Sequence, residues 1–429
     1  MISFLNNFFQ LKSLNTNIKT EFNAGLTTFL TMSYIIFVNP LILGDAGMDR
    51  GSIFIATILI ACFATLLMGL YANWPLALAP GMGANAWFTY GIVLQGGHSW
   101  QIALGAVFLS GIVMLLFSLS PLRKKLLEAM PISLKMSIAT GVGLFIALIG
   151  FKTSGILVSN THSFADFGSF KEPSVILTFI GLIIIFICES LKIRASFLIS
   201  IFFIAIASCF LGITHFTGII SSPPSISPTL FKLDLKNLFT YELLGIVFTL
   251  FIIDFFDSTS LFIGTMSGVS KHISPSSFKK ALSVDSMATS VGALLGVSTT
   301  TTYSESIAGV SAGGRSGLVA VVVGLLFLLM LFFSPLLSIM PSFVASSVMI
   351  YIGCLMLSSL KHLDWEDITE VIPLLIILIV IPLTFSIFNG VGLSICAWLL
   401  LKIIFKKWKA QYIALIPVAL AFLVFMILK

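Results

Sequence analysis

Charged residues are scarce in this chain of 429 residues. Asp, Glu, Lys and Arg together make up 9% of it, hydrophobic residues make up 58%, and the mean hydropathy is +1.11. Soluble globular domains carry about 25% charged residues, so this composition excludes that class. Apolar windows of about 18 to 25 residues recur along the chain, and each is long enough to cross a bilayer core of roughly 30 Å. The sequence therefore predicts an all-α polytopic membrane protein.

Cysteine is also scarce, and its spacing excludes two structural uses. Zinc sites and disulfide frameworks need paired or clustered cysteines. The five cysteines here lie singly in apolar segments, without a C-x-x-C pair: Cys62, Cys188, Cys209, Cys354 and Cys396. We therefore expect packed free thiols and no metal site.

Signatures of catalysis and of export are missing as well. The chain has no P-loop, no H-E-x-x-H pair and no nucleophile elbow. Its N-terminal stretch lacks a short apolar core followed by a small-residue cleavage site. A membrane enzyme would need a nucleophile or a metal cluster, and a membrane sensor normally carries a soluble domain, for which no loop is long enough. No cofactor is expected, and transport is the function class that remains.

Fourteen apolar segments follow one another in two sets of seven. The first set lies near 24–44, 52–72, 75–93, 99–119, 133–150, 174–190 and 195–213, and the second near 242–264, 279–297, 298–312, 315–337, 342–359, 370–387 and 388–405. A further apolar piece, 411–428, is either a fifteenth span or a surface helix. The expected division is a cytoplasmic N-terminus at 1–21, a first repeat at 22–220, a linker at 221–241, a second repeat at 242–405, and a basic segment with an apolar tail at 406–429.

Basic residues fall mainly on one side of this map. With the N-terminus inside, 17 of the 23 Lys and Arg lie in cytoplasmic stretches, and five lie outside: Arg50, Lys152, Lys171, Lys232 and Lys236. This is the positive-inside pattern of a plasma-membrane protein. It explains the net charge of +6 without a nucleic-acid partner.

Spans 3 and 10 share an irregularity. The stretch "LAPGMGANAWF" carries Pro80 and two glycines, and "TTTTYSESIAG" carries a run of threonines, with Asn85 and Glu305 at corresponding places 220 residues apart. A proline kink would explain span 3 alone but not the match in span 10. Seven spans per repeat give the repeats opposite orientations, and paired interrupted helices in inverted repeats mark a transporter's binding site. Half-helices starting near residues 85 and 304 would point free N–H groups at the membrane centre.

Four carboxylates lie deep in apolar segments: Asp254, Asp257, Asp285 and Glu305. An ionised residue at a helix centre costs roughly 2.5–3.5 kcal/mol, so such residues usually face a cavity and carry function. Asp254 and Asp257 are three residues apart and share one helix face. Together with Glu305 they cannot all ionise at low cost, so at least one is expected to hold a proton near neutral pH. This predicts proton coupling by these three acids, whereas a structural role is favoured for Asp285.

Several stretches resemble the nucleobase-cation symporter-2 superfamily, and specifically its AzgA-like hypoxanthine/guanine/adenine permeases. They span most of residues 22–405 and read "TTFLTMSYIIFVNP", "PGMGANAWF", "PISLKMSIATGVGLFIALIGFKTSGI", "DFFDSTS" and "TTYSESIAGVSAGGRSGLVAVVVGLLFLLMLFFSPL". The resemblance implies two inverted seven-span repeats arranged as a core domain and a gate domain, with short β-strands in spans 3 and 10. It also implies proton symport of purine bases by alternating access.

Carried over by motif, the resemblance also implies a binding site. Asp254 and Glu305 would be the main base-binding acids, with Asp257 and Asn85 in support and backbone N–H groups near Ala84 and Ser304. The aromatic residues Phe256 and Tyr303 lie near enough in sequence to stack on a flat ligand. The family usually continues its span 8 motif as D-T-x-G-T, whereas here Asp257 is followed by "STSL". The missing glycine leaves the fine substrate preference open.

These observations together predict a proton-coupled purine importer of the plasma membrane, embedded in lipid. Guanine and hypoxanthine are favoured over adenine, because guanine offers N1–H and a 2-amino group to a carboxylate, whereas adenine keeps an acceptor at N1. The alternatives are a sodium-coupled nucleobase transporter, and an anion exchanger or channel of the same architecture, against which Glu305 argues. The sequence leaves open the coupling ion, the preferred purine and whether the chain forms a homodimer.

Overall fold

Helices form most of the chain in this computed structural model, which describes residues 2–120, 129–158, 160, 165–267 and 275–427. The basic residues Arg123, Lys124, Lys125, Lys271 and Lys429 of the predicted charge map lie outside these ranges. The helices of the first half are α1 Ile2–Phe8, α2 Ile18–Met32, α3 Ile35–Asp45, α4 Arg50–Leu67, α5 Met82–Ala86, α6 Trp100–Leu119, α7 Ile132–Thr153, α8 Pro173–Ser190 and α9 Ser196–Phe210. Helix α4 continues as a π-helical turn at Met68–Ala72, and α5 continues as a π-helix at Trp87–Gln95.

The second half repeats this sequence of elements. Its helices are α10 Tyr241–Ser267, α11 Pro275–Leu295, α12 Ser306–Ser311, α13 Gly317–Leu329, α14 Val344–Leu357, α15 Ile368–Thr384, α16 Ile387–Ile404 and α17 Ile416–Ile427. Short 3-10 segments occur at Met330–Ile339, Ser358–His362 and Ala410–Leu415. The strands are β1 Leu78–Pro80, β2 Leu157–Val158, β3 Asp166–Phe167 and β4 Thr300–Thr302. Strand β1 pairs antiparallel with β4, and β2 pairs antiparallel with β3.

Side-chain caps set the start of several long helices. The side chains of Asn17, Asp49, Ser99, Ser316 and Ser386 each accept a hydrogen bond from a backbone N–H in the first turn of the helix that follows. Such caps satisfy N–H groups that lack an intrahelical acceptor. The helix boundaries are therefore encoded locally, before any helix packs on another.

Span 1, predicted near 24–44, consists of two helices joined by a short turn. Helix α2 ends at Met32 and α3 begins at Ile35. The hydroxyl of Thr31 donates to the carbonyl of Thr28 at 2.8 Å, which competes with the backbone ladder of the last turn of α2. Pro40 within α3 also lacks the N–H that a continuous helix would use. The turn places Tyr34 at the N-cap of α3, where its carbonyl oxygen accepts from the N–H of Val38 at 3.0 Å.

The contacts between helices show the two repeats directly. Helices α7 and α14, which are spans 5 and 12, pack on each other, and so do the two strands of spans 3 and 10. Helix α6 of span 4 packs on α11 of span 9, and α13 of span 11 packs on α4 of span 2. The second pair is the first pair with the two repeats exchanged. Each pairing is reproduced when the two repeats are exchanged. The prediction of two inverted seven-span repeats is confirmed.

These contacts sort the helices into two groups. Helices α7, α8 and α9 pack with α14, α15 and α16, and this group is the gate domain. Helices α2, α3, α4 and α6 pack with α11, α12, α13 and the strand pair, and this group is the core domain. Helix α10 packs mainly on α6, belongs to the core domain and faces the gate domain.

The apolar tail forms a helix that runs along the bundle. Helix α17 packs antiparallel on α16: the rings of Phe388 and Phe422 lie 5.1 Å apart near one end, and those of Trp398 and Tyr412 lie 4.6 Å apart near the other. Within the described ranges, eight helical stretches, including Ala410–Ile427, are long and apolar enough to cross a membrane. The tail therefore has the length and the apolar composition of a fifteenth span.

The two repeats touch at backbone level where α4 meets α13. A Cβ added at Gly69 would lie 2.5 Å from the carbonyl oxygen of Gly317 and 3.1 Å from a methyl carbon of Val321. Backbone atoms cannot rotate away as a flexible side chain can. Small residues are therefore required at this crossing, as in other close contacts between transmembrane helices.

We expect Gly69→Ala to lower the stability of the folded protein by about 1–3 kcal/mol, because overpacking forces the backbones apart. The measurement is the thermal unfolding midpoint of the detergent-purified chain. Gly51→Ala is the matched control, since a Cβ there would lie 3.4 Å from Pro224, an ordinary contact. Equal midpoints for the two variants would contradict this account of the crossing.

Candidate functional site

Two strands from different repeats cross inside the bundle. The register of β1 on β4 pairs Leu78 with Thr302, Ala79 with Thr301, and Pro80 with Thr300. The pairing extends by one bond at each end, from the N–H of Gly81 to the oxygen of Thr299 and from the N–H of Tyr303 to the oxygen of Ala77, both at 2.9 Å. The β-branched threonines favour an extended backbone. This confirms the prediction of short strands in the broken spans.

Hydroxyl groups from flanking helices complete the hydrogen bonding of the strands. Thr65 of α4 both donates to the oxygen of Leu78 and accepts from its N–H, each at 3.0 Å. Thr289 of α11 donates to the oxygen of Thr300 at 2.9 Å. Helices α4 and α11 are equivalent in the two repeats, so the same support is built twice. Irregular backbone is tolerated at membrane depth only when its polar groups are satisfied inside the protein.

A half-helix follows each strand. Helix α5 begins at Met82 and α12 at Ser306, each within three residues of the predicted positions. Two glycines bring the start of α5 close to its neighbours: a Cβ at Gly81 would lie 2.7 Å from a methyl carbon of Thr301, and one at Gly83 would lie 2.5 Å from Val142. Their function in "PGMG" is therefore close packing of α5 against β4 and α7.

A cavity with an empty volume of about 720 Å³ lies between the core and gate domains beside the crossed strands. We call it the central cavity. The core domain contributes Gly81, Gly83, Ala84, Leu250, Ile253, Asp254, Asp257, Thr299 and Thr301, and the gate domain contributes Lys135, Ile138, Ala139, Val142 and Met356. Its wall is mostly apolar, with the two carboxylates of α10 on one side. Sites for small molecules commonly combine an apolar wall with a few placed polar groups.

The two acids of α10 differ in their hydrogen bonding. Asp254 is 3% exposed, and its Oδ2 accepts from the hydroxyl of Thr289 at 3.1 Å. Its Oδ1 has no hydrogen-bond partner among the residues that the structure describes. Asp257 lies one turn further along and is exposed in the cavity wall. The helix therefore presents one buried and one accessible carboxylate to the same space.

Glu305 lies beside the central cavity and not in its lining. Its Oε1 accepts from the phenol of Tyr34 at 2.8 Å, and its Oε2 accepts from the hydroxyl of Ser304 at 3.0 Å. The carboxylate is half-buried at the start of α12. The break between α2 and α3 therefore supplies a partner for this acid that the sequence motifs did not indicate.

The remaining predicted site residues surround the strand crossing. Ala84 lies in the cavity wall, where its N–H belongs to the first turn of α5. Asn85 is fully buried, its Oδ1 accepts from Ser298, and its Nδ2 has no partner within the described part of the chain. Tyr303 is buried, and its hydroxyl donates to the oxygen of Pro80 at 2.5 Å. The side chain of Phe256 lies outside the described residues.

Asp285 is bound to the strand crossing. Its Oδ2 accepts from Ser258 at 2.6 Å, its Oδ1 accepts from Thr302 at 3.4 Å, and Ser258 also lies 2.9 Å from the hydroxyl of Thr301. The side chain is fully buried and does not line the central cavity. These contacts join α10, α11 and β4, which fits a structural role.

Hydroxyl residues are the site components that the sequence motifs missed. Tyr34, Thr289 and Ser258 each donate to one of the deep acids. The one available signal was the polar pair Ser33–Tyr34 inside an apolar span. Serine and threonine are common in transmembrane helices, so the other two could not be singled out by type or spacing.

Comparison with known proteins agrees with this architecture. The model of the Permease family matches residues 19–393. The chain is 41% identical to the adenine permease AdeP of Escherichia coli K12 over 98% of this chain and 95% of that one. It is 38% identical to the guanine/hypoxanthine permease PbuO of Bacillus subtilis 168 over 97% of this chain and 99% of that one.

Solved structures share the fold at low sequence identity. The transmembrane domain of the cyanobacterial bicarbonate transporter BicA aligns with a TM-score of 0.65 at 14% identity, covering 89% of this chain and 97% of that one. Murine Slc26a9, an anion transporter in the inward-facing state, aligns with a TM-score of 0.68 at 12% identity, covering 95% and 73%. At such identities the likeness concerns the fold alone. The sequence match decides the family: this multi-pass membrane protein belongs to the nucleobase-cation symporter-2 permeases.

Proposed function

We propose that this chain imports purine nucleobases by alternating access, with protons as the coupling ion, and that the base binds in the central cavity. The relatives AdeP and PbuO are named for adenine and for guanine and hypoxanthine. The cavity lies between the two domains, where a relative movement can open it to either side. Carboxylates in its wall argue against the alternative of an anion exchanger, because they would repel an anion.

The observation that carries this proposal is the free oxygen of Asp254. Asp254 lines the central cavity, and its Oδ1 is buried without a hydrogen-bond partner in the described structure. A buried acceptor without a donor costs about 1–3 kcal/mol. A purine has N–H groups at its edge, and one of them would satisfy this oxygen. A ligand that carries this donor therefore binds more tightly than one that lacks it.

We assign the second contact with the base to Glu305. Its carboxylate follows β4, and two threonines of that segment, Thr299 and Thr301, line the central cavity. Tyr34 and Ser304 donate to the carboxylate, and we assign the backbone N–H groups of Ser304 and Ala84 as donors to ring nitrogens or to a carbonyl oxygen. Guanine presents N1–H and its 2-amino group side by side, which matches a carboxylate with two acceptors.

Adenine requires a different pattern of donors. It keeps an acceptor at N1, so it needs a donor from the protein, either a protonated carboxyl group or the free Nδ2 of Asn85. Guanine and hypoxanthine are accordingly the favoured substrates, and adenine is accommodated when one acid holds a proton. The aromatic side chain of Tyr303 is proposed to border the ring plane, and Phe256 stays an expectation from the sequence because its side chain lies outside the described residues.

The coupling proton is assigned to the group formed by Asp254, Asp257 and Glu305. These acids lie in or beside one cavity, and like charges in a low dielectric favour partial protonation. A proton taken up from outside neutralises one acid, the base then binds, and the loaded site crosses with less buried charge. Protonation and binding of the base thereby stabilise the same state of the cavity.

The orientation and division of the chain follow the charge map. We propose that the N-terminus is cytoplasmic in a bacterial inner membrane, that the repeats occupy 22–220 and 242–405, and that 221–241 links them.

The contacts of Glu21 bear on this orientation. Glu21 is fully buried and accepts from the backbone N–H groups of Arg315 and Ser316. It joins the start of α2 to the turn between α12 and α13. The proposed orientation puts both of these on the cytoplasmic side, so the contact is consistent with it.

We expect Glu305→Gln and Asp254→Asn each to weaken guanine binding roughly tenfold or more, because each turns one acceptor into a donor that faces the base. The measurement is equilibrium binding of labelled guanine to purified variants. Asp285→Asn is the control: it should lower the yield of folded protein while the folded fraction binds with nearly unchanged affinity. Wild-type affinity in Glu305→Gln would remove Glu305 from the base-binding site.

We expect Tyr34→Phe to weaken guanine binding roughly fivefold to tenfold, because the variant keeps the ring but loses a hydrogen bond to a charged acceptor. Tyr90→Phe is a matched control, since the Tyr90 hydroxyl donates to Asp45 at 2.7 Å and does not line the central cavity. Equal affinities for the two variants would show that Tyr34 does not act on the base through Glu305.

We expect uptake of labelled base into cells that lack their own purine transport to fall as the external pH is raised, because fewer acids are then loaded with a proton. A protonophore should abolish accumulation above the external concentration. The sodium gradient is varied independently at constant pH as a control. Uptake that follows sodium and ignores both treatments would replace the proton by sodium as coupling ion.

A further inference from the structure

A second cavity lies in the same seam between the domains, at the end where α10 and α16 begin. Its empty volume is about 790 Å³. We call it the vestibule. The core domain contributes Trp87, Gly91, Ile92, Gln95, Gly96, His98, Glu242 and Ile246, the gate domain contributes Thr384, Phe385, Ser386, Phe388 and Asn389, and helix α17 contributes Phe425.

The lining of the vestibule combines hydrogen-bonding groups with aromatic rings. The amides of Gln95 and Asn389 can both donate and accept. The Nε2 of His98 lies 3.7 Å from a carboxylate oxygen of Glu242 and has no hydrogen-bond partner among the described residues. Phe388 adds a large apolar surface. Such a lining suits a flat ring with donors and acceptors at its edge, because the ring faces meet aromatic carbon and the edges meet amides.

The vestibule is separated from the central cavity by about one helical turn. On α10, Ile246 borders the vestibule and Leu250 borders the central cavity, four residues or about 6 Å apart along the axis. In span 3, Trp87 borders the vestibule and Ala84, three residues earlier, borders the central cavity. The two spaces therefore lie in line along the seam, with a thin apolar barrier between them.

The vestibule wall has a backbone shape that ordinary side chains disfavour. Phe385, between α15 and α16, has φ of 50°, in the left-handed region that is strained for a non-glycine residue. Its carbonyl oxygen approaches Gly91, where a Cβ would lie 2.9 Å from it and 2.7 Å from the indole nitrogen of Trp87. Such conformations persist only where the surroundings enforce them, and they cluster at ligand sites.

We propose that the vestibule is a second binding site, which holds a flat heteroaromatic ring of the class transported by the chain before the ring passes to the central cavity. This inference rests on the proposed function for the identity of the ring. The base stacks against Phe388, and its edge is bound by the amides of Gln95 and Asn389 and by the Nε2 of His98. Each chain then binds two bases, one in each cavity.

The test is the number of labelled guanine or adenine molecules bound per purified full-length chain in lipid nanodiscs, up to saturation. The wild type should bind two, Asp254→Asn should lose the tighter one, and the double variant His98→Ala/Asn389→Ala should lose the weaker one. His215→Ala is the matched control, because it removes an exposed histidine that follows α9 and lines neither cavity, and it should leave the count at two.

The outcomes separate the vestibule from the proposed function. One base per wild-type chain, lost in Asp254→Asn, would overturn the second site and leave the central site intact. No binding of either base would overturn the proposed function itself. In uptake measurements, the double variant should raise KM at least threefold with little change in kcat, and an unchanged KM would also overturn the proposal.

Discussion

The structure depends on one antiparallel strand pairing inside a membrane protein. Extended backbone at this depth has no water to satisfy its polar groups, so each strand needs a partner. Strand β1 of the first repeat and β4 of the second supply each other's hydrogen bonds, and the hydroxyls of Thr65 and Thr289 complete them. Neither half of the chain could form this crossing alone. The inverted repeat is therefore a requirement of the site as well as a feature of the fold.

The crossing also positions the carboxylates. The hydroxyl of Thr289 lies 2.9 Å from the oxygen of Thr300 and 3.1 Å from Asp254, so a strand and a cavity acid share one donor. Asp285 is bound through Ser258 and Thr302 to the same strand. Under the proposed function, protonation of Asp254 or binding of a base to it would change the hydrogen bonding of Thr289, which also binds the backbone of β4.

Both cavities lie in the seam between core and gate, and the tail reinforces that seam. Helix α17 packs on α16 of the gate domain, while Phe422 and Phe425 also contact Phe248 of α10 in the core domain, with ring centroids 5.3 and 6.3 Å apart. The alternating-access movement proposed above would rearrange this aromatic cluster. The hydrophobic stabilisation of buried rings is non-directional, so these rings would stay buried while they repack.

The sequence alone determined the membrane class, the repeat, and the acids worth attention, because hydropathy, charge bias and a constant offset are properties of the chain itself. It also identified the broken spans, since proline, glycine and clustered threonines disfavour helices locally. Only the tertiary structure decided which groups meet. Tyr34 and Glu305 are 271 residues apart, and the burial of Glu21 depends on a turn nearly 300 residues away. These hydrogen bonds join residues that are far apart in the sequence and are brought together by the fold, so a local sequence pattern cannot predict them.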